Sequence, residues 1–225
     1  MLCSVELNLR YPCLSMEEAV AVGEVGNCRV VSYDVRHMVF ECPSCEIFKR
    51  CTLVKSVNGE KIKKERPTIE RSVKTLDAVT ARLMVNLARV AQGHRVWEPF
   101  VGTGAVAYEV ERLGGHVVGG DIDEKMLRIA KRNINGDLVL WDALYPPLRG
   151  GFDAVVGDPP YGRLSTSSRD VRALLTSLVE AVSLYIKRGG YVVFASPVYI
   201  DLPYFRSCMM YLHGGLYRVI YVAKF

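Results

Sequence analysis

The sequence predicts an α/β fold: a doubly wound, mostly parallel sheet that ends in an antiparallel hairpin and is preceded by a small α+β region. Three observations carry this. Beyond His94, short apolar runs alternate with helical patterns, and the runs end on acidic or glycine-rich turns, the pattern of strand–helix–strand units in an open sheet. The last two runs, residues 206–213 and 216–224, flank Gly214-Gly215 with no helix between them, which signals a two-residue hairpin. Residues 1–62 lack the alternation and read as strand, helix, strand, strand.

A chain of 225 residues, at roughly 150 per domain, holds one full domain and an appendage. The expected division is 1–62 for the small α+β region and 63–225 for the sheet domain. Half the residues are hydrophobic and 24% are charged, which excludes a disordered chain. No apolar run approaches the ~18 residues of a membrane helix. The start, Met1-Leu2-Cys3-Ser4-Val5-Glu6, has no basic stretch followed by an apolar one, so no signal peptide is expected. A soluble, cytoplasmic protein without membrane contact is the expectation.

The elements follow in order. Residues 4–9 read as a strand, followed by a short helix capped by Ser15, with Glu17 and Glu18 in its first turn. Strands are expected over 29–33 and 37–41, and a turn at Asn58-Gly59. Arg66-Pro67-Thr68 is expected to open a long helix. Its apolar positions Ile69, Val73, Leu76, Val79, Leu83, Leu87 and Val90 step by three or four, so one face is buried. Strands then fall at 94–97, 116–120, 138–141, 153–157 and 190–195, with helices through 113 and 133 and over 170–187.

Charge is concentrated. Between Lys49 and Lys74, nine basic residues (Lys49, Arg50, Lys55, Lys61, Lys63, Lys64, Arg66, Arg71, Lys74) face three glutamates, a net +6 against +5 for the whole chain. Such a segment suits a phosphate-rich partner, or else is a solvated linker. Seven cysteines include the CxxC pair Cys42 and Cys45, with Cys51 and His37 nearby. The spacing lacks the second regular pair of a zinc ribbon. One glutamine against 19 arginines is a thermophile-like balance, in which intracellular disulfides occur. Buried or disulfide-bonded cysteines are therefore the favoured reading over a metal site.

The strand ends carry the chemistry. The turn Gly102-Thr103-Gly104 lets backbone approach a ligand closely, but Val106 and Ala107 follow where a dinucleotide fingerprint needs its third glycine. Asp121, at the next strand end, suits a carboxylate that accepts ribose hydroxyls, and Asp123 suits the helix cap after it. Asp142 ends the third strand, within reach of an adenine amino group. Asp158-Pro159-Pro160-Tyr161 is the sharpest signal. Two prolines fix the backbone and remove two donors, leaving carbonyls to accept. With an acidic acceptor and a flat ring beside them, they suit a planar substrate bearing NH₂.

Together, Glu98-Pro99-Phe100-Val101-Gly102-Thr103-Gly104, Asp121-Ile122-Asp123 and Asp158-Pro159-Pro160-Tyr161 resemble motifs I, II and IV of class I S-adenosylmethionine-dependent amino-methyltransferases, which have a Rossmann-like fold. Arg66-Pro67 and the stretch 81–89 are similar to the segment before motif I in archaeal tRNA (guanine(10)-N2)-methyltransferases. The resemblance runs from about residue 63 to the end. Glu98 stands where that family usually has aspartate, so the carboxylate is kept. Residues 1–62 are similar to the ferredoxin-like part of these enzymes alone, and their THUMP RNA-binding domain is expected to be missing.

The resemblance implies S-adenosyl-L-methionine as cofactor, with Glu98, Phe100, Gly102, Thr103 and Gly104 around its methionine part, Asp121 on the ribose, and Ile122 and Asp142 beside the adenine. It implies Asp158, Pro159, Pro160 and Tyr161 as the catalytic residues and guanine N2 in tRNA as the target. A THUMP-like RNA-binding protein is the implied partner. An rRNA guanine-N2 or DNA amino-methyltransferase, a protein-glutamine methyltransferase, or a non-catalytic subunit with the same fold remain the alternatives.

Overall fold

A computed structural model describes residues 1–64, 68–73, 75–160, 171–212 and 214–225. Two sheets organise it. The first is antiparallel throughout and holds β1 (Leu2–Leu7), β2 (Arg29–Tyr33), β3 (His37–Glu41), β4 (Val54–Val57) and β5 (Glu60–Lys61), in the order β2-β3-β1-β4-β5. Asn58 and Gly59 both take positive φ, 51° and 82°, at the tight turn joining β4 to β5, as a hairpin of matched twist requires. Helix α1 (Pro12–Val25) covers the apolar face, which Val5, Leu7, Phe40 and Phe48 fill.

Seven strands form the second sheet: β6 (Arg95–Glu98), β7 (His116–Asp121), β8 (Asp137–Leu140), β9 (Phe152–Gly157), β10 (Ile186–Ser196), β11 (Arg206–Tyr211) and β12 (Tyr217–Lys224). Their order is β11-β12-β10-β9-β6-β7-β8. The five strands from β10 to β8 run parallel, while β12 is antiparallel to both β10 and β11. Helices α2 (Ala78–Leu87), α3 (Ala105–Arg112), α4 (Glu124–Asn133) and α5 (Val171–Val182) accompany them. Two apolar clusters lie within this unit, one with α2 and α3 and one with α5. The parallel sheet closed by an antiparallel hairpin is thus as the alternation predicts, and Gly214 and Gly215 both take positive φ at its turn.

Several boundaries differ from the sequence reading. Helix α1 starts at Pro12, in the first-turn position where its missing N–H costs nothing. Ser15 is buried inside it, accepting from the Asn8 amide at 2.9 Å and donating to the Leu53 carbonyl at 3.0 Å. The helix expected from residue 66 begins instead at Ala78, where Asp77 caps it by accepting from the Thr80 amide. Ile69 and Val73 therefore lie outside any helix, and Val73 is exposed. Arg66 and Pro67 lie outside the described residues. Residues 186 and 187 belong to β10 rather than to the preceding helix.

The cysteines pair as Cys3–Cys45, Cys28–Cys42 and Cys13–Cys208, with Cys51 free and buried. Each half of the CxxC pair bonds elsewhere. Among the described residues no group of His, Cys, Asp and Glu could hold a metal ion, and no helix is long and apolar enough to cross a membrane.

The two sheets meet through buried polar contacts. Glu18 of α1, fully buried, accepts from the Thr52 amide and hydroxyl, the Leu53 amide and the Asn86 amide group, all within 2.9 Å. Arg50 donates to Asn86 Oδ1 and to the Val90 carbonyl, and burial pulls its guanidinium down to about 10. Helix α1 also shields β11, the sheet's edge strand, through Cys13–Cys208, the Tyr11 hydroxyl on the Tyr211 carbonyl at 2.7 Å, and the Arg206–Glu17 pair at 2.9 Å. A covered edge cannot recruit a stray strand.

Candidate active site

Parallel strands place their C-terminal ends together: β6 and β7 end on Glu98 and Asp121, and β8 and β9 end just before Asp142 and Asp158. The sequence-predicted residues are thus assembled along one rim, where ligands of doubly wound sheets sit. Tyr161 lies outside the described residues.

The turn after β6 is shaped by two glycines in the left-handed region, Gly102 at φ 52° and Gly104 at φ 85°, a conformation that side chains with Cβ disfavour. A Cβ on Gly102 would meet nothing closer than the Phe100 carbonyl at 4.0 Å, so space stands open above the turn. Asp121 holds the turn to β7. One carboxylate oxygen accepts from the Gly102 amide and the other from the Asp123 amide, both at 2.8 Å. Burial raises its pKa, and these backbone bonds act against that rise. Asp123 caps α4 by accepting from the Lys125 amide, as expected.

Glu98 is 2% exposed, and its Oε2 is buried with no hydrogen-bond partner among the described residues. Burial pushes its carboxyl well above the usual range, opposed by the Ala107 amide and reinforced by the charges of Asp121 and Asp158. Thr103 is also buried. Its hydroxyl contacts the Thr75 hydroxyl at 3.0 Å, and its carbonyl accepts from Asn133 at 2.8 Å. Thr75, in a stretch expected as helix, thereby lies against this turn, and Asn133 also donates to the Glu70 carbonyl. Glu70 strengthens the seam by pairing with Arg132 at 2.6 Å.

On the adenine side, Trp141 packs over Gly120, so closely that a Cβ there would fall within its ring. Ile122 is 63% exposed at the strand end, an apolar surface available to a planar ring, and Asp142 accepts from the Leu144 amide at 3.1 Å. Phe100 packs against the α5-side cluster. Pro159 is buried behind Asp158. The Nη2 of Arg218 in β12 lies 4.0 Å from Asp158 Oδ2. Sequence reasoning missed Arg218, Asp77 and Thr75. A lone arginine inside the apolar run 217–223 was the signal available for the first.

A ligand with an amino group suits Glu98, whose buried oxygen lacks a donor among the described residues, at the end of the strand that leads into the open turn. A ligand with vicinal hydroxyls suits Asp121, since each oxygen keeps a lone pair. The residues present therefore fit S-adenosyl-L-methionine: Glu98 and the turn for its amino-acid part, Asp121 for its ribose, Ile122 and Asp142 for its adenine.

Fold and rim together define a class I S-adenosylmethionine-dependent methyltransferase. The chain belongs to the UPF0020 family, described as an RMKL-like methyltransferase domain, whose model matches residues 70–210. It is 33% identical over 159 residues to a tRNA (guanine(10)-N2)-dimethyltransferase of Methanothermobacter thermautotrophicus, an alignment covering 64% of this chain and 47% of that protein. The enzyme of the same name from Methanocaldococcus jannaschii is 34% identical over 160 residues, covering 64% and 44%. The chain thus spans less than half the length of these two relatives. Among solved structures, TrmN from Thermus thermophilus matches with a TM-score of 0.57 at 18% identity, over 99% of this chain and 81% of that one. That likeness in fold extends over the antiparallel N-terminal sheet. A methyltransferase from Pyrococcus furiosus matches with a TM-score of 0.54 at 19% identity, over 69% and 87%.

Proposed function

We propose that this chain methylates the exocyclic N2 amine of a guanine in tRNA. The observation that carries the reading is Asp158-Pro159-Pro160 directly after β9, on the rim where β6 ends, with Asp158 near enough for its charge to act on the buried Glu98. The names of the two archaeal relatives support the choice of base and of RNA.

S-adenosyl-L-methionine, when bound, supplies an electrophilic sulfonium methyl. The amine of guanine is a poor nucleophile because its lone pair is delocalised into the ring. Accepting its two N–H bonds at the Asp158 carboxylate and the Pro159 carbonyl favours a pyramidal nitrogen and localises that pair. Tyr161, by its place in the tetrapeptide, stacks on the flipped base. Alignment of the nitrogen with the methyl supplies much of the rate, and Asp158 takes the proton that the nitrogen sheds.

The proposal extends to the RNA and its partner. Lys61, Lys63, Lys64 and Arg71 are exposed and offer charge to phosphates. Arg50, counted in that basic segment by its sequence position, is half-buried in the junction, where it donates to Asn86 and Val90, and belongs to the fold instead. Charge of this kind gives little shape recognition, so a THUMP-like RNA-binding protein is the partner proposed for position-specific modification, in the cytoplasm with the tRNA. We also assign 1–62 and 63–225 as the two units of the chain, one sheet in each.

The test is incorporation of labelled methyl from S-adenosyl-L-methionine into tRNA, rRNA and DNA, followed by nucleoside analysis. N2-methylguanosine or its dimethyl form from tRNA is the expected product. Label confined to DNA or to an adenine product overturns the reading.

A further inference from the structure

We propose that Arg218 is a positioning residue for the transfer: anchored on Asp77 and Thr80, its guanidinium holds Asp158 as an ionised acceptor for the target amine. The inference rests on the guanine-N2 reading above and adds a residue to it.

Strand β12 is antiparallel to β10, so its first residues lie at the same rim as the strand ends of the parallel set, with Val219 opposite Ser196. Arg218 interrupts an apolar strand at that level. Its side chain is only 11% exposed, and a guanidinium so enclosed is retained where it is paired. Nη1 lies 3.5 Å from Asp77 Oδ2, the N-cap of α2, and 3.4 Å from Thr80 Oγ1 in its first turn. Nη2 reaches towards Asp158, 4.0 Å from Oδ2. The contact with Asp158 is thus electrostatic, since a hydrogen bond would be shorter. Asp77 is itself fixed, because it accepts from the Thr80 amide and hydroxyl at 2.9 and 2.7 Å. The first turn of α2 therefore aims the guanidinium.

The charge at the rim explains why a cation is needed there. Among the described residues, Asp158 faces Glu98 from β6 and Arg218 from β12, and the charges of Asp158 and of Asp121 in β7 both bear on Glu98. Crowded carboxyls push one another towards the neutral form, and a cation within about 4–6 Å reverses this for its neighbour. A protonated Asp158 would present an O–H to the amine and lose capacity to accept from it. With Arg218 beside Asp158, the proton of the cofactor-free rim belongs on Glu98, whose pKa burial already raises, and the cofactor's amino group takes over that site when bound. Environments that push two carboxyls apart in this way divide acid and acceptor roles between them.

The test uses the full chain with transcribed tRNA, measuring kcat against pH and cofactor Kd by calorimetry. Arg218→Met is expected to lower kcat on the order of 100-fold, to leave cofactor Kd within about twofold, and to move the acidic limb of kcat up by about one pH unit. Arg218→Lys keeps the charge and is expected to keep the limb in place even where geometry lowers kcat. If the Met variant does not fold, Arg218→Gln and the Lys variant decide by the same limb. An active wild type whose Met or Gln variant loses activity with the limb unmoved shows a merely structural arginine and overturns the inference alone. A wild type that never yields N2-methylguanosine overturns the guanine-N2 reading first, and the inference with it.

Discussion

The Gly102 amide donates to Asp121 Oδ2 at 2.8 Å, so the turn after β6 and the end of β7 are one unit rather than two neighbouring motifs. Removing the carboxylate takes away a ribose acceptor and also unties the turn. Asp121→Ala should weaken cofactor binding by about 1.5–3 kcal/mol, the range for hydrogen bonds to a charged group. Titration calorimetry checks it, and unchanged affinity would leave Asp121 a purely structural residue.

Asp158 has the opposite assignment. In the proposed mechanism its carboxylate accepts from the base, so Asp158→Ala should lower kcat by about 10²–10⁴-fold with cofactor affinity nearly intact. Parallel loss of cofactor affinity would refute this division of roles.

Glu98 makes a stability prediction with a definite sign. Burial raises its pKa above the ordinary 4.5, so the folded chain holds a proton that the unfolded chain releases. That contribution is full below pH 4.5, where both states are protonated, and is lost as pH rises towards the raised folded value. Glu98→Gln removes the cost, and should stabilise the cofactor-free chain at pH 7–8 while weakening cofactor binding. Denaturant midpoints across pH 5–8 report it, and a variant with the pH slope of the wild type would contradict the assignment.

Gly120 is the prediction about packing. A Cβ there enters the Trp141 ring, so Gly120→Ala must displace a buried indole at the adenine side. A loss of roughly 1–3 kcal/mol is expected, measured as a fall in Tm, and a neutral outcome would mean that the Trp141 placement is wrong.

Much of the sheet domain was legible because its chemistry sits where its secondary structure changes. Glu98, Asp121 and Asp158 stand at or just after strand ends and Gly102 in the turn that follows one, so motif and topology announce each other. Other parts depend on contacts between residues far apart in sequence. Ser15 and Glu18 read as a helix cap and a first-turn acid, yet both are buried, because the Leu53 carbonyl accepts from Ser15 and Thr52, Leu53 and Asn86 donate to Glu18 from distant segments. The apolar steps at Ile69 and Val73 suggested helix, but Thr75 and Glu70 bond to the Thr103 turn and to α4 instead, and Asp77 starts the helix later. Arg50 looked like part of a phosphate footprint, and the Asn86 and Val90 acceptors that enclose it lie 36 and 40 residues away.

The exposed lysines carry the remaining footprint. Replacing Lys61, Lys63 and Lys64 with Ala should flatten the log–log salt dependence of tRNA binding by two to three units, about one per lost phosphate contact. Filter binding across salt measures this, and an unchanged slope would place the RNA elsewhere.

The central claim is that the chain's acceptors grip an exocyclic amine, and inosine tests it most directly because it is guanosine without that amine. Methyl incorporation should be followed into a tRNA carrying guanosine or inosine at position 10, the position named for the archaeal relatives. The account predicts that incorporation falls to background with inosine while the tRNA still binds. Equal incorporation into both would contradict it.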